Sequence, residues 1–302
     1  MEEIANTMSI SRPRRATSLG TVLASMAAAL LLLAASASAA APDPAPAGSN
    51  DFSCKPSAAH PRPVVLVHGL AASQGANWGY MSPRIKAAGY CVFSLTYGRD
   101  SRLDALPLPY SPGGVIRMQE SSKQLKALVA KVLQSTGAHK VDIVGHSEGT
   151  VMPRWYMEKR GGARFVRRFV ALTPLWRGTE IGGTAYLRDV AEPFGLAGPI
   201  VDTVAQLCAS CPQFLRGSDF LNTLNRDGEK IPGVVHTNIA TATDELVVPY
   251  TSGLMNDGGK NIVLQDVCPT DLSEHAAVAF DPVVAQLILN ALDPKHAKPV
   301  KC

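Results

Sequence analysis

Val141-Asp-Ile-Val-Gly-His-Ser-Glu-Gly149 decides the fold. Its first four residues are mostly β-branched and apolar, as a strand buried in a sheet requires. The next five read Gly-x-Ser-x-Gly, and a helix-compatible stretch begins directly behind them. The five-residue pattern alone is weak, because glycine and serine are common in this chain. Placed between a strand and a helix it has a mechanical meaning. On so sharp a turn, side chains at Gly145 and Gly149 would collide with neighbouring backbone, and the hydroxyl of Ser147 is forced out above the sheet edge. The helix starting there aims free N–H groups at the same spot. The bland alternative is a capping serine in a glycine-rich turn.

Similar strands flank this one in the sequence. Pro63–Val67 and Cys91–Thr96 precede it, Val166–Leu172 and Val234–Thr241 follow it, and Asn261–Gln265 comes after the turn Asn256–Gly259. Helical spacing separates them. Met81–Ala88 is short, Val115–Ser135 repeats Leu125, Leu128, Val129 and Val132 before Gly137, and Asp281–Leu292 closes the chain. Alternating strands and helices predict an α/β architecture, a mostly parallel central sheet flanked by helices. Between Pro174 and Pro232 the alternation gives way to Gly- and Pro-rich sequence, too long for an ordinary connection; such insertions are usually lids or binding loops.

Composition narrows the class. The chain has 302 residues, 46% hydrophobic and 18% charged, enough to bury one substantial core. A net charge of +4 is spread along the sequence, with no concentrated basic face, so nucleic acid is not an expected partner. Arg12, Arg14 and Arg15, the apolar run Val22–Ala35 and the small residues Ala37-Ser38-Ala39 have the shape of a cleaved signal peptide over 1–39, too short in its apolar part for a membrane span. Arg14-Arg15 leaves both general and twin-arginine export open. Residues 40–62 then form an N-terminal linker and lead-in, and 63–302 the folded domain with an insertion at about 174–232. The mature protein is expected to be secreted, with no transmembrane anchor.

Export changes the reading of Cys54, Cys91, Cys208, Cys211, Cys268 and Cys302, since thiols outside the cytoplasm normally pair. Six cysteines allow fifteen connectivities. Position suggests Cys54–Cys91, Cys208–Cys211 and Cys268–Cys302. A lone C-x-x-C offers half a zinc site, and its Gly/Pro-rich surroundings do not suit a redox motif.

A serine hydroxyl is a poor nucleophile at neutral pH; it needs a histidine to take its proton and a carboxylate to orient that histidine. Seven histidines compete. His60 and His296 lie in terminal segments, His139 precedes a strand on the wrong side, His146 is inside the turn, and His236 falls early in a strand. His68 lies where the first strand ends; a plain turn with His68 as a local hydrogen-bonding residue is the alternative there to a loop that offers oxyanion donors. His275 follows the last strand, at the sheet edge where ligands bind. Asp244, after the strand Val234–Thr241, is the favoured acid; Glu245 is its rival, with Asp266 and Asp271 behind. The order Ser147, Asp244, His275 is that of α/β-hydrolases. The backbone N–H groups of Leu70, after the first strand, and of Glu148 are candidate donors to an oxyanion.

The sequence resembles the secreted actinobacterial class 2 lipases of the α/β-hydrolase superfamily. The resemblance rests on Val65–Gly69, Thr136-Gly137, Val141–Ser147, Met152–Tyr156, Leu172–Pro174, Arg177–Thr179, Cys208 to Cys211, Gly217–Leu221, Thr243–Tyr250 and the Gln265–His275 segment. It implies that Ser147, Asp244 and His275 form the triad of a carboxylester hydrolase acting on acylglycerols or other fatty-acyl esters, possessing neither a metal nor an organic cofactor. Position 148 departs from the uncharged Gln or Met frequent in the family, and Glu148 is expected to turn away from the pocket. Trp176, Phe194, Leu207, Phe214, Leu215 and Phe220 could cap an acyl pocket, or be plain core. A short-chain esterase, an acyltransferase and a non-catalytic binding protein on the same scaffold are the alternatives.

Overall fold

The computed structural model describes residues 43–104, 110–180, 205–206 and 208–302. The leader over 1–39, and Phe194 and Leu207 of the insertion, lie outside the described residues. Six strands form one sheet: β1 (Val64–Val67), β2 (Val92–Leu95), β3 (Val141–His146), β4 (Val166–Leu172), β5 (Val235–Ala240) and β6 (Lys260–Val263). All five pairings are parallel, in the spatial order β2-β1-β3-β4-β5-β6. The helices used below are α1 (Gln74–Trp78), α2 (Met81–Ala87), α3 (Met118–Thr136), α4 (Glu148–Lys159), α5 (Asp219–Asn225), α6 (Leu264–Val267) and α7 (Pro282–Leu292).

Both faces of the sheet are covered, which explains the continuous apolar runs. Successive side chains of a strand point to opposite faces. Val65, Val67, Ile143 and Phe169 accordingly pack with Leu125, Val129 and Val132 of α3 and Val151 and Met152 of α4. Val64, Leu66, Val144 and Val170 pack with Met81 and Ile85 of α2 and Val284 and Ile288 of α7. Each such side chain, fully buried, contributes about 1.5–3 kcal/mol relative to exposure. Asp142, the one acid in the β3 run, is buried and held by Arg62 Nε at 2.9 Å from each carboxylate oxygen, and it accepts the backbone N–H of Arg168 at 3.0 Å.

The predicted elements recur with shifted ends. α3 begins at Met118 instead of Val115, and β6 stops at Val263, where Leu264–Val267 turn helical as α6. At α7, Asp281 accepts the N–H of Val284 at 2.8 Å and Pro282 occupies the first turn, a strong start signal. In the insertion, Trp176 and Phe220 are buried in the core, whereas Phe214 and Leu215 line a cavity. The sulfurs pair as Cys54–Cys91, Cys208–Cys211 and Cys268–Cys302. Among the described residues no helix is long and apolar enough to cross a membrane.

The strand order reverses at β1: the chain moves outward to β2, then crosses back to β3 on the other side. Loops leaving β1 and β3 at their C-terminal ends therefore diverge, and a crevice opens between them. His68, Gly69 and Leu70 leave β1 there, and Ser147 leaves β3.

Candidate active site

Ser147 has φ 54° and ψ −122°, a conformation that residues with a side chain avoid, so the surroundings must enforce it. They do so from both sides. The Ser147 N–H donates to Leu172 O at the end of β4 (3.0 Å), and its carbonyl accepts from Thr150 N (2.9 Å) and Thr150 Oγ1 (2.6 Å). A Cβ on Gly145 would collide with the carbonyl of Gly149, and one on Gly149 with the carbonyl of Val67, so the tight turn requires both glycines. The β1 loop presses on this turn: a Cβ added to Gly69 would stand 3.1 Å from Ser147 Cβ.

His275 is buried, with Nδ1 2.9 Å from Asp244 Oδ1 and 3.1 Å from Oδ2. The carboxylate oxygens act as acceptors in this contact, so its hydrogen is on Nδ1 and Nε2 is the other ring nitrogen. Asp244 Oδ1 also accepts from the backbone N–H groups of Leu246 (3.0 Å) and Val247 (2.7 Å), which fix the carboxylate in its loop. Glu245 takes a different place: its Oε2 accepts the backbone N–H of His275 at 3.1 Å. Asp266 is exposed, and Asp271 accepts the N–H of Ser273 within its own turn.

Ser147 and His275 line one cavity of about 580 Å³, together with Gly69, Leu70, Leu175, Phe214, Leu215, Leu246 and Val247. Asn77, Tyr110, His146 and Thr179 also line it, and the rest of its wall is mainly apolar. Leu70 N–H and Glu148 N–H have no acceptor among the described residues, as donors kept for a ligand would. Among the described residues no group of three or more His, Cys, Asp or Glu could hold a metal ion.

Five of the other six histidines contact named partners. His68 donates from Nδ1 to Gly69 O (2.7 Å) and accepts from Tyr97 N at Nε2 (3.2 Å), and burial pulls its pKa to about 4. His236 accepts the Ile231 N–H at 3.2 Å between Phe169 and Trp176, and burial brings it to about 4. His60 packs at a tilt against Tyr90, His296 bonds Asp293, and His139 is exposed before β3. His146 has more to do than pack. Its Nε2 lies 2.9 Å from the carbonyl of His275 and its Nδ1 2.9 Å from Asn77 Oδ1; both oxygens are acceptors, and the neutral ring has one hydrogen to give to one of them. Asn77 Oδ1 also accepts the Gly69 N–H at 3.0 Å. Sequence reading missed Asn77: it lies 69 residues before its partner on a five-residue helix, α1, that has no periodic signal.

Glu148 is fully buried, and its side chain does not line the cavity. Its Oε1 lies 3.2 Å from the hydroxyl of Tyr97.

Residues 61–288 match the family model described as lipase (class 2). Lipase B of Pseudozyma antarctica is 27% identical over 165 residues, 52% of this chain and 44% of that protein. Among solved structures, lipase B of Aspergillus fumigatus superposes with a TM-score of 0.60 at 19% identity, over 85% of this chain and 57% of that one. The propeptide form of the Bacillus licheniformis lipase BlEst2 gives 0.55 at 16% identity, over 83% and 52%. The chain thus spans about half the length of these relatives. The parallel sheet is that of an α/β-hydrolase, and with three quarters of the sequence matched to one family model, the chain belongs to the class 2 lipases.

Proposed function

We propose that the protein is a secreted serine carboxylester hydrolase that cleaves acylglycerols or other fatty-acyl esters. The observation that carries this reading is a histidine bonded to a buried carboxylate and facing the same apolar cavity as a serine on a strained strand-to-helix turn. His275 Nε2 takes the proton of Ser147 as its oxygen attacks the ester carbonyl, and Asp244 stabilises the imidazolium that forms. The N–H groups of Leu70 and Glu148 receive the oxyanion, each such donor being worth about 3–4 kcal/mol. His275 then protonates the leaving alcohol, and water repeats the sequence to free the acid.

The cavity supports an acyl rather than a polar substrate: its volume is that of a small-ligand pocket and its walls are aliphatic and aromatic. Leu246 and Phe280 both line it and are partly exposed, giving the mouth an apolar rim suited to a lipid–water interface. Paired cysteines support an oxidising compartment. Rates on p-nitrophenyl esters of increasing chain length, with emulsified triglyceride alongside, test the proposal. Turnover that rises with acyl length and extends to the emulsion is expected. Activity on acetate alone marks a short-chain esterase, and preferential transfer to an added alcohol marks an acyltransferase. Folded protein that neither turns over esters nor reacts with a fluorophosphonate at Ser147 is a binding protein.

A further inference from the structure

The hydroxyl of Tyr97 lies 2.9 Å from the carbonyl oxygen of His68 and 3.2 Å from Glu148 Oε1. It has one hydrogen for two oxygens. A carbonyl can only accept, so when Tyr97 serves His68, Glu148 must be the donor to the tyrosine oxygen, and only a carboxylic acid can donate. Ser210 stands beside the same carboxyl with its hydrogen committed to Gly114 O (2.5 Å), so it too offers only lone pairs. Tyr97, Ser210 and, stacked behind Tyr97, the neutral His68 are the polar and titratable side chains facing Glu148; among the described residues no lysine or arginine compensates it. Glu148 Oε2 has no hydrogen-bond partner among the described residues.

This carboxyl sits behind the oxyanion loop. A Cβ placed on Gly114 would be 3.1 Å from Glu148 Oε1 on one side and 3.2 Å from Leu70 Cα on the other, so Gly114 is the spacer between them. The neighbouring Gly113 is joined to the same loop twice, accepting from Ala71 N (2.9 Å) and donating to Ala72 O (2.8 Å).

We propose that Glu148 is a positioning residue that works only as a neutral carboxylic acid, holding the loop of Leu70 in place through Tyr97 and Gly114. The proposal rests on the reading of Ser147 as nucleophile and Leu70 N–H as oxyanion donor. Burial supports it by raising the carboxyl to about 8, against the lowering effect of Ser210 and Tyr97. Loss of the proton does two things. The Tyr97 hydrogen turns from His68 to the new carboxylate, loosening the β1 loop, and a negative charge appears in a dry space behind the site where the oxyanion forms.

Two measurements on the full chain test this. In the wild type, kcat/KM on a p-nitrophenyl ester falls about tenfold between pH 7 and pH 9, as one ionisation near 8 requires. In Glu148→Gln, whose amide donates the same bond and cannot ionise, that fall disappears. In parallel, infrared spectra of wild-type protein with 13C-labelled glutamate show a protonated-carboxyl stretch at pH 7 that titrates away over the same range and is missing in the variant. An identical alkaline fall in both proteins overturns the proposal, as does a labelled-glutamate spectrum with no protonated carboxyl at pH 7. The infrared titration needs only wild-type protein, so it decides even if Glu148→Gln does not fold. Absence of ester turnover at every pH would instead sink the hydrolase reading.

Discussion

His146 Nε2 lies 2.9 Å from the carbonyl oxygen of His275, so the residue before the elbow serine packs against the loop that carries the imidazole. Through Asn77 the same ring reaches Gly69, beside Leu70. One side chain at the end of β3 therefore touches both the residue that holds Gly69 after β1 and the loop after β6. A misplacement of about 1 Å can cost on the order of 10²-fold in rate. His146→Leu, which keeps much of the volume and loses the ring's one hydrogen bond, is expected to lower kcat roughly 10- to 100-fold, with KM little changed. Steady-state kinetics on a soluble ester check it; an unchanged kcat would confine His146 to packing.

Asp244 and Glu245 are neighbours with separable tasks. Asp244 touches the imidazole, whereas Glu245 touches the backbone N–H of His275. Asp244→Asn is expected to cut kcat by about 10⁴, because the amide favours the wrong tautomer. Glu245→Gln keeps an acceptor for the N–H and is expected to cost less than about tenfold. A reversal of that ranking would transfer the acid role to Glu245.

Stability should respond to pH in two opposed ways. Burial holds His68 and His236 at about 4 and His146 at about 3, below the 6.5 of a free imidazole. The unfolded chain therefore binds more protons below 6.5, and the folded state loses stability as pH falls toward 4, by about 1.4 kcal/mol per pH unit for each group. Glu148 runs the other way: its raised carboxyl keeps a proton that the unfolded chain releases above about 4.5, so its contribution declines as pH rises toward 8. Urea denaturation at pH 4.5, 6 and 8 reads both. Glu148→Gln should gain on wild type at pH 8 and lose that advantage near 4.5, and a constant gap would contradict the assignment.

The disulfides should differ in what they contribute. Cys54–Cys91 closes a loop of separation 37, and Cys208–Cys211 one of separation 3. Loop-closure entropy gives about 4 kcal/mol for the first and about 2 for the second. Replacing each pair by serine and comparing midpoints of chemical denaturation tests the order. Equal losses would show that native packing, not chain entropy, sets their value.

Local chemistry was legible in the linear chain. Glycines at 145 and 149 around a serine, directly after a β-branched run, specify a strained turn because no other residue fits so close to neighbouring backbone. The strands could be read from their apolar runs because both sheet faces are covered, and α3 and α7 from their spacing. Folding decided the relationships between distant side chains. Whether Asp244 or Glu245 meets the imidazole depends on how one loop is pinned by Leu246 N–H and Val247 N–H, a matter of a single residue's rotation about the backbone. Asn77, Tyr97 and Gly114 gave no signal, since each acts on a partner brought near only when β1, β2 and β3 align. The protonation of Glu148 is likewise a property of the packed interior: in an extended chain water would surround the carboxyl and keep it ionised at neutral pH.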